Sequence, residues 1–119
     1  MTMDNAVVVK IYLDRIGSSA KILDCNRQDI LKYFNQRHNN GIALSSNRNL
    51  LYTLWRLGES LQKPFREATA DDLMGFFCNL KPCETNRNLV KVYSQRTMWI
   101  FKSTIKTFWR WLYSINRRS

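Results

Sequence analysis

Hydrophobic residues recur at helical spacing along most of the chain. With about 100° of rotation per residue, two segments each collect their apolar residues on one face. In the segment 47–61 the shared face holds Leu50, Leu54, Leu57, Gly58 and Leu61. In the segment 94–115 it holds Met98, Phe101, Ile105, Phe108, Leu112 and Ile115. The pattern predicts amphipathic helices whose apolar sides meet in a common core.

The same pattern predicts five helices in all, at about 5–16, 27–38, 47–61, 70–80 and 94–115. The first contains several β-branched residues, which leaves a strand open as an alternative there. The chain has only four Gly and two Pro. Because sandwiches and barrels need many turns, this scarcity favours helices joined by short loops. The predicted fold class is therefore all-α.

Residues with capping chemistry mark the predicted helix ends. The N-terminal candidates are Asn26, Ser45 or Ser46, and Ser94. Gly41 suits the left-handed conformation that often terminates a helix. Thr69 and Asp72, three residues apart, resemble a capping box. Gly58 lies on the apolar face of its helix, where a missing side chain is expected to allow close helix approach.

Positive charge is concentrated in the last third of the chain. The 119 residues carry 19 Lys or Arg and 9 Asp or Glu, a formal net charge of +10. Residues 1–85 hold eleven of the cations and all nine acids, whereas residues 86–119 hold eight cations and no acid. This localisation indicates a polyanionic partner.

The fifth predicted helix places its cations opposite its apolar face. Within an arc of about 120° lie Arg96, Lys102, Lys106, Arg110 and Arg117. Like charges four residues apart destabilise an isolated helix by about 0.2–0.5 kcal/mol per pair, and a phosphate backbone would offset this repulsion. Trp99, Ser103 and Tyr113 share the arc, with Trp109 at its border. Trp99 is expected either to stack on a sugar or to pack against a neighbouring element.

Several interpretations of this basic surface are open. A solvated face without a partner is one alternative, and a basic module for an acidic protein is another. A membrane-surface helix is disfavoured because the apolar side is needed to complete a core. RNA is disfavoured because readers of single strands display aromatic residues on open platforms. The third predicted helix adds a second cationic face, and two such faces could grip a duplex. That face is formed by Arg48, Tyr52, Arg56 and, just beyond the helix, Lys63.

The sequence indicates no chemistry beyond binding. There is no run of about 18 apolar residues and no uncharged core of a secretory signal, so a cytoplasmic protein is expected. Cys25, Cys78 and Cys83 lack a CxxC spacing and are expected to be buried or half-buried thiols. His38 is expected to be an ordinary surface residue. No metal site, cofactor or small-molecule substrate is predicted.

Two segments of the sequence resemble a known protein family. They are GIALSSNRNLLYTLWRLGESLQKPFREATADDLMGFF and, after a polar loop, YSQRTMWIFKSTIKTFWRWLY. They resemble the N-terminal core-binding domain of tyrosine recombinases, most of all the integrase-like members from archaea and their mobile elements. The resemblance covers about 25–113. It implies a SAM-like orthogonal bundle of four to five helices at 26–116, forming half of a C-shaped clamp on DNA, after an N-terminal extension at 1–25 with a short helix.

The resemblance also implies which residues face DNA. Two helices would touch the major groove and adjacent phosphates of double-stranded DNA. From the third helix these would be Ser45, Ser46, Arg48, Tyr52 and Arg56, joined by Lys63 from the charge pattern. From the fifth they would be Ser94, Gln95, Arg96, Trp99, Lys102, Lys106 and Arg110. Further recombinase protomers on the same DNA are left open as partners.

The catalytic half of this family has no counterpart in the chain. That half carries two Arg, a Lys, His residues and a Tyr nucleophile. Tyr113 has no neighbour in the sequence that would activate it, so no catalytic residue is predicted. Two explanations stay open: the chain is part of a longer integrase that cleaves and rejoins DNA strands, or it is a stand-alone DNA-binding regulator that occupies recombination sites without cutting them.

Overall fold

Five α-helices build the protein, as a computed structural model shows for residues 4–80 and 94–117, with side chains described through residue 114. They are α1 (Asn5–Ser18), α2 (Asp24–Asn39), α3 (Leu44–Ser60), α4 (Ala70–Asn79) and α5 (Gln95–Arg117), with a 3-10 turn at Phe65–Glu67 between α3 and α4. The described residues contain no strand. The all-α prediction is confirmed, and the strand alternative for the first segment is wrong.

Helix α3 lies at the centre of the bundle, packed against α1, α2 and α5. Its predicted apolar face is confirmed, since Leu50, Leu54 and Leu57 are buried together with Gly58. Leu51, on another side of the helix, is also fully buried. Because three helices cover α3, little of its surface remains exposed to solvent.

Helix α1 belongs to the same core as the other helices. It packs along α3 and contributes Val9 and Ile16 to the buried cluster. Arg27 of α2 secures the end of α1. Its guanidinium donates to the carbonyl oxygens of Ile16, Ser19 and Ile22, at 3.0, 2.6 and 3.1 Å. The Ile16 carbonyl lies in the last turn of α1, where the helix has no further N–H groups to serve it, and the carbonyls of Ser19 and Ile22 belong to the loop between α1 and α2.

Gly41 terminates α2 as the sequence predicts. Its φ is +79°, in the left-handed region. Its N–H donates to the carbonyl of His38, and the N–H of Ile42 donates to the carbonyl of Arg37, both at 3.1 Å. These two bonds form a Schellman motif, which satisfies the last carbonyls of the helix.

Two predicted N-terminal caps are also confirmed. The Thr69 hydroxyl accepts from the N–H of Asp72 at 3.2 Å, and the Asp72 carboxylate accepts from the N–H of Thr69 at 2.8 Å, which completes the capping box of α4. The Ser94 hydroxyl accepts from the N–H of Thr97 at 3.2 Å at the start of α5. Local side-chain chemistry suffices for these caps because each partner is three residues away.

Asn26 does not cap α2, so that prediction is wrong. The helix begins two residues earlier, at Asp24, and Asn26 is fully buried. Its Nδ2 donates to the carbonyl of Lys63 at 2.9 Å, and its Oδ1 accepts from the N–H of Phe65 at 2.8 Å. The side chain thereby fixes the connector between α3 and α4 against α2.

The predicted caps Ser45 and Ser46 are wrong as well. Helix α3 begins at Leu44, and Ala43 at its N-cap makes no side-chain hydrogen bond.

Gly58 allows a close approach, as the sequence predicts, but the element that approaches is the α1–α2 loop and not a helix. A Cβ at Gly58 would lie 3.3 Å from Cγ1 of Ile22.

Short α4 lies at the edge of the bundle, which limits what it buries. Phe76 is buried there, whereas Leu73, Phe77 and, directly after the helix, Leu80 are half-buried.

The expected burial of the thiols is wrong for the two cysteines that the structure describes. Cys25 and Cys78 are exposed, because they lie on the solvent sides of α2 and α4. Cys83 lies outside the described residues.

Candidate nucleic-acid interface

Helix α5 is anchored by one apolar side. Phe101, Ile105, Phe108 and Leu112 are buried, as the sequence predicts, and Met98 is half-buried. The side chain of Ile115 lies outside the described residues. This anchoring determines which residues of α5 face outward.

The aromatic core holds α5 against α2 and the 3-10 turn. The Phe108 ring lies 5.3 Å from the Tyr33 ring of α2 and meets the Phe65 ring edge-on, also at 5.3 Å. The indole Nε1 of Trp111 donates to Oε1 of Gln36 at 2.6 Å. These contacts come from two directions, so they fix the rotation of α5 about its own axis.

The outward side of α5 carries its cations. Arg96, Lys102, Lys106 and Arg110 are all exposed. None of the ion pairs formed among residues 4–80 and 94–114 includes a cation of α5. The predicted ridge of positive charge is therefore confirmed for these four residues, and no described carboxylate neutralises it. The side chain of Arg117 lies outside the described residues.

Trp99 lies in the middle of this ridge with 68% of its surface exposed. Packing it into a neighbouring element, one of the two roles that the sequence left open, is wrong. Tyr113 on the same side is 57% exposed. We call Arg96, Trp99, Lys106 and Arg110 the basic face of α5. Trp99 gives this face a flat apolar surface among the charges.

Lys102 lies at the edge of the basic face. Its Nζ is 5.7 Å from the centre of the Phe77 ring of α4, a cation–π distance. The side chain thus leans towards α4, although it is exposed to solvent.

The second cationic face, expected on α3, is wrong as an exposed surface. Arg48 and Tyr52 are half-buried. Nη1 of Arg48 donates to Oδ1 of Asn5 in α1 at 3.3 Å. The Tyr52 ring packs 5.6 Å from the Tyr12 ring of α1, and Nη1 of Arg56 donates to the Tyr52 hydroxyl at 2.9 Å. These side chains are drawn inward because α1 and α5 flank the side of α3 that the sequence assigned to solvent.

Lys63 is engaged in an ion pair. Its Nζ lies 3.0 Å from Oδ2 of Asp72, the residue that completes the capping box of α4. The pKa of the Asp72 carboxyl is lowered mainly by the backbone hydrogen bond from Thr69, then by Lys63. A Lys63 so placed stabilises the start of α4.

The four predicted polar contacts at the helix starts are exposed. They are Ser45 and Ser46 in the first turn of α3, Ser94 before α5 and Gln95 in its first turn. The fold brings Ser46 and Trp99 into the wall of one groove of about 260 Å³ between α2, α3 and α5.

Sequence reasoning missed Arg37, which lines that groove from the last turn of α2. A cation in the last turn of a helix is the usual complement to the helix dipole. Nothing in the sequence pattern therefore sets Arg37 apart from an ordinary terminal residue. Apart from Tyr33 of the same helix, the residues that line the groove with Arg37 come from α3 and α5, which only the tertiary structure brings together.

Other kinds of site find no support in the described part of the chain. Residues 4–80 and 94–114 hold no group of three or more His, Cys, Asp or Glu side chains placed to bind a metal ion. None of the described helices combines the length and apolar character needed to cross a membrane. Comparison of the chain with protein-family models, with curated proteins and with solved structures finds no match.

Proposed function

We propose that this protein binds duplex DNA, mainly through the phosphate backbone, with the basic face of α5. One observation carries the proposal. Arg96, Lys106 and Arg110 project from one side of a well-anchored helix, Trp99 lies among them, and none of these cations is paired with a described carboxylate.

The dimensions of α5 suit a duplex. Its 23 residues correspond to about 34 Å, close to one turn of DNA. Arg96 and Arg110 are 14 positions apart, or about 21 Å along the axis. A helix about 10–12 Å wide with its side chains matches a major groove about 12 Å wide. The basic face can thus contact phosphates along one groove without a change of fold.

The charges of α5 also support a DNA partner. Lys102, Lys106 and Arg110 follow each other at intervals of four, so they repel one another in the free protein. Phosphates would remove that repulsion and release condensed counterions, which is the main source of sequence-independent affinity for DNA.

Duplex DNA fits better than single-stranded RNA because of where the aromatic rings lie. Phe101 and Phe108 are buried, and Trp109 and Trp111 are half-buried. Stacking successive unpaired bases requires a row of exposed rings. The described part of α5 offers two strongly exposed rings, Trp99 and Tyr113.

The sequence resemblance extends this proposal. On that basis the chain is the DNA-binding half of a tyrosine recombinase, or a stand-alone regulator that occupies recombination sites. Of the α3 residues that the resemblance implies, Ser45 and Ser46 are exposed enough to join α5 on DNA. The two forms differ in whether a catalytic region follows Ser119, which the codons downstream of that residue decide.

Fluorescence anisotropy of a labelled duplex two helical turns long, titrated at several salt concentrations, tests the proposal. With six phosphate contacts, the logarithm of the affinity is expected to fall against log salt with a slope of roughly −5. Failure to bind the duplex at low salt would overturn it. Equal or better competition by single-stranded RNA would favour an RNA partner. Equal competition by heparin, with no preference for duplex length, would favour the protein-interaction module.

A further inference from the structure

The groove between α2, α3 and α5 has the chemistry of an anion site. Its described walls contain the guanidinium of Arg37 and no carboxylate. Ser46 and Ser103 line it as well, together with Thr107, whose hydroxyl donates to the carbonyl of Ser103 at 3.0 Å, and Trp99 lies at its α5 wall. Donor groups and one positive charge thus converge on an open space large enough for a phosphate group.

Arg37 is held in place before any ligand arrives. Its Nε donates to Oδ1 of Asn47 at 3.2 Å, and its guanidinium carbon lies 5.6 Å from the centre of the Tyr33 ring. Asn47 is fully buried, and its Nδ2 donates to the carbonyl of Ile42, so its Oδ1 is directed at Arg37. A guanidinium fixed in this way loses little conformational entropy when it binds an anion.

The outer edge of this guanidinium remains available. No described residue accepts a hydrogen bond from Nη1 or Nη2 of Arg37, and the ion pairs of the described residues do not include it. The two Nη groups form the fork that binds two oxygens of one phosphate.

We propose that this groove binds one phosphate of the DNA backbone through Arg37, while Trp99 covers the adjoining deoxyribose. This inference rests on the proposed function and adds a contact outside α5. It gives the duplex a second line of attachment, across the groove from the basic face.

Arg37→Gln tests the inference, with Arg15→Gln as the matched control. Arg15 also holds its guanidinium over an aromatic ring, 5.1 Å from the centre of Trp55, but it lies on α1 and outside the groove. Both variants lose one positive charge. Arg37→Gln is expected to weaken duplex binding about tenfold at low salt and to reduce the salt slope by about 0.9. Arg15→Gln is expected to leave the slope unchanged.

Three further variants separate the contributions of the charge, the guanidinium fork and the Trp99 ring. Arg37→Lys keeps the charge but loses the fork and the bond to Asn47, so its affinity is expected to fall between those of the wild type and Arg37→Gln. Trp99→Ala is expected to weaken binding about fivefold or more with an unchanged salt slope. Tyr113→Ala removes an exposed ring outside the groove and is expected to have a smaller effect.

The outcomes distinguish this inference from the proposed function. If the wild type binds the duplex and α5 variants weaken it, but Arg37→Gln has the wild-type affinity and slope, the groove inference is overturned and the proposed function stands. A fall in melting temperature without a change in slope would assign Arg37 a structural role at the end of α2, which also overturns it. If the wild type does not bind, both fail.

Discussion

The indole of Trp111 and the side-chain amide of Gln36 are joined by a hydrogen bond of 2.6 Å between Nε1 and Oε1. This bond links α5 to α2 beside the contact of the Phe108 and Tyr33 rings. A slippage or rotation of α5 would break it. The pair therefore helps to determine which residues of α5 face solvent.

Replacing Gln36 by Ala is expected to lower the free energy of unfolding by about 0.5–1.5 kcal/mol, because one intramolecular hydrogen bond is lost. Urea denaturation followed by circular dichroism measures this change. Gln28→Ala is the control, since Gln28 is an exposed glutamine on the same helix without a described partner. Equal stability of the two variants would show that the bond contributes nothing.

Changing Lys106 and Arg110 together to Ala is expected to weaken duplex binding more than tenfold at low salt and to reduce the salt slope by roughly two. The loss should be similar for all DNA sequences, since phosphate contacts carry no sequence information. Gel-shift titration measures it. The double change Lys10→Ala and Arg15→Ala on exposed positions of α1 removes the same charge and is expected to have a much smaller effect. If the double variant on α5 shifts the duplex at the same protein concentration as the wild type, the placement of DNA on α5 is contradicted.

Asn26→Ala is expected to destabilise the fold by about 2–3 kcal/mol. The change leaves the buried N–H of Phe65 and the carbonyl of Lys63 without the partner that they have now. Chemical denaturation measures the loss. Asn35→Ala, an exposed position on the same helix, should be nearly neutral. A neutral Asn26→Ala would mean that water replaces the side chain without loss.

Gly58→Ala is expected not to stabilise the protein. Ala is a better helix former than Gly by about 1 kcal/mol, but the added Cβ would lie 3.3 Å from Cγ1 of the buried Ile22, and overpacking costs about 1–3 kcal/mol. In α4, Gly75→Ala meets nothing within 4 Å and is expected to raise the unfolding free energy by up to about 1 kcal/mol. Equal stabilisation by both changes, measured by thermal or urea unfolding, would contradict the close packing at Gly58.

Asp72 is expected to make the stability of the fold depend on pH in the acid range. Its pKa in the folded chain is lowered from the ordinary 3.8, so its ionised form stabilises the fold above that value, and the contribution is lost as the pH falls through the folded pKa. Asp72→Asn should therefore lower the melting temperature at neutral pH, with the difference shrinking at the acid end. A difference that is constant with pH would contradict the assignment.

The sequence determined features that depend on residues close to one another along the chain. The two faces of α5 follow from the spacing of Phe101, Ile105 and Phe108 against Lys106 and Arg110, because one helix fixes all of these directions at once. The left-handed Gly41 was predictable for the same local reason. So was the capping box of α4, whose partners are three residues apart.

The tertiary structure alone decided features that depend on how many neighbours an element has. A helical wheel gave the direction of Arg48 and Tyr52, but it could not show that α1 and α5 cover that side of α3. Asn26 has the chemistry of a cap in the sequence, yet its partners lie about 40 positions away, at Lys63 and Phe65. The Arg37 groove has walls from three helices. Helix directions are set by local geometry, whereas burial and partnership are set by long-range packing, and packing is what draws Arg48 inward and leaves Trp99 in solvent.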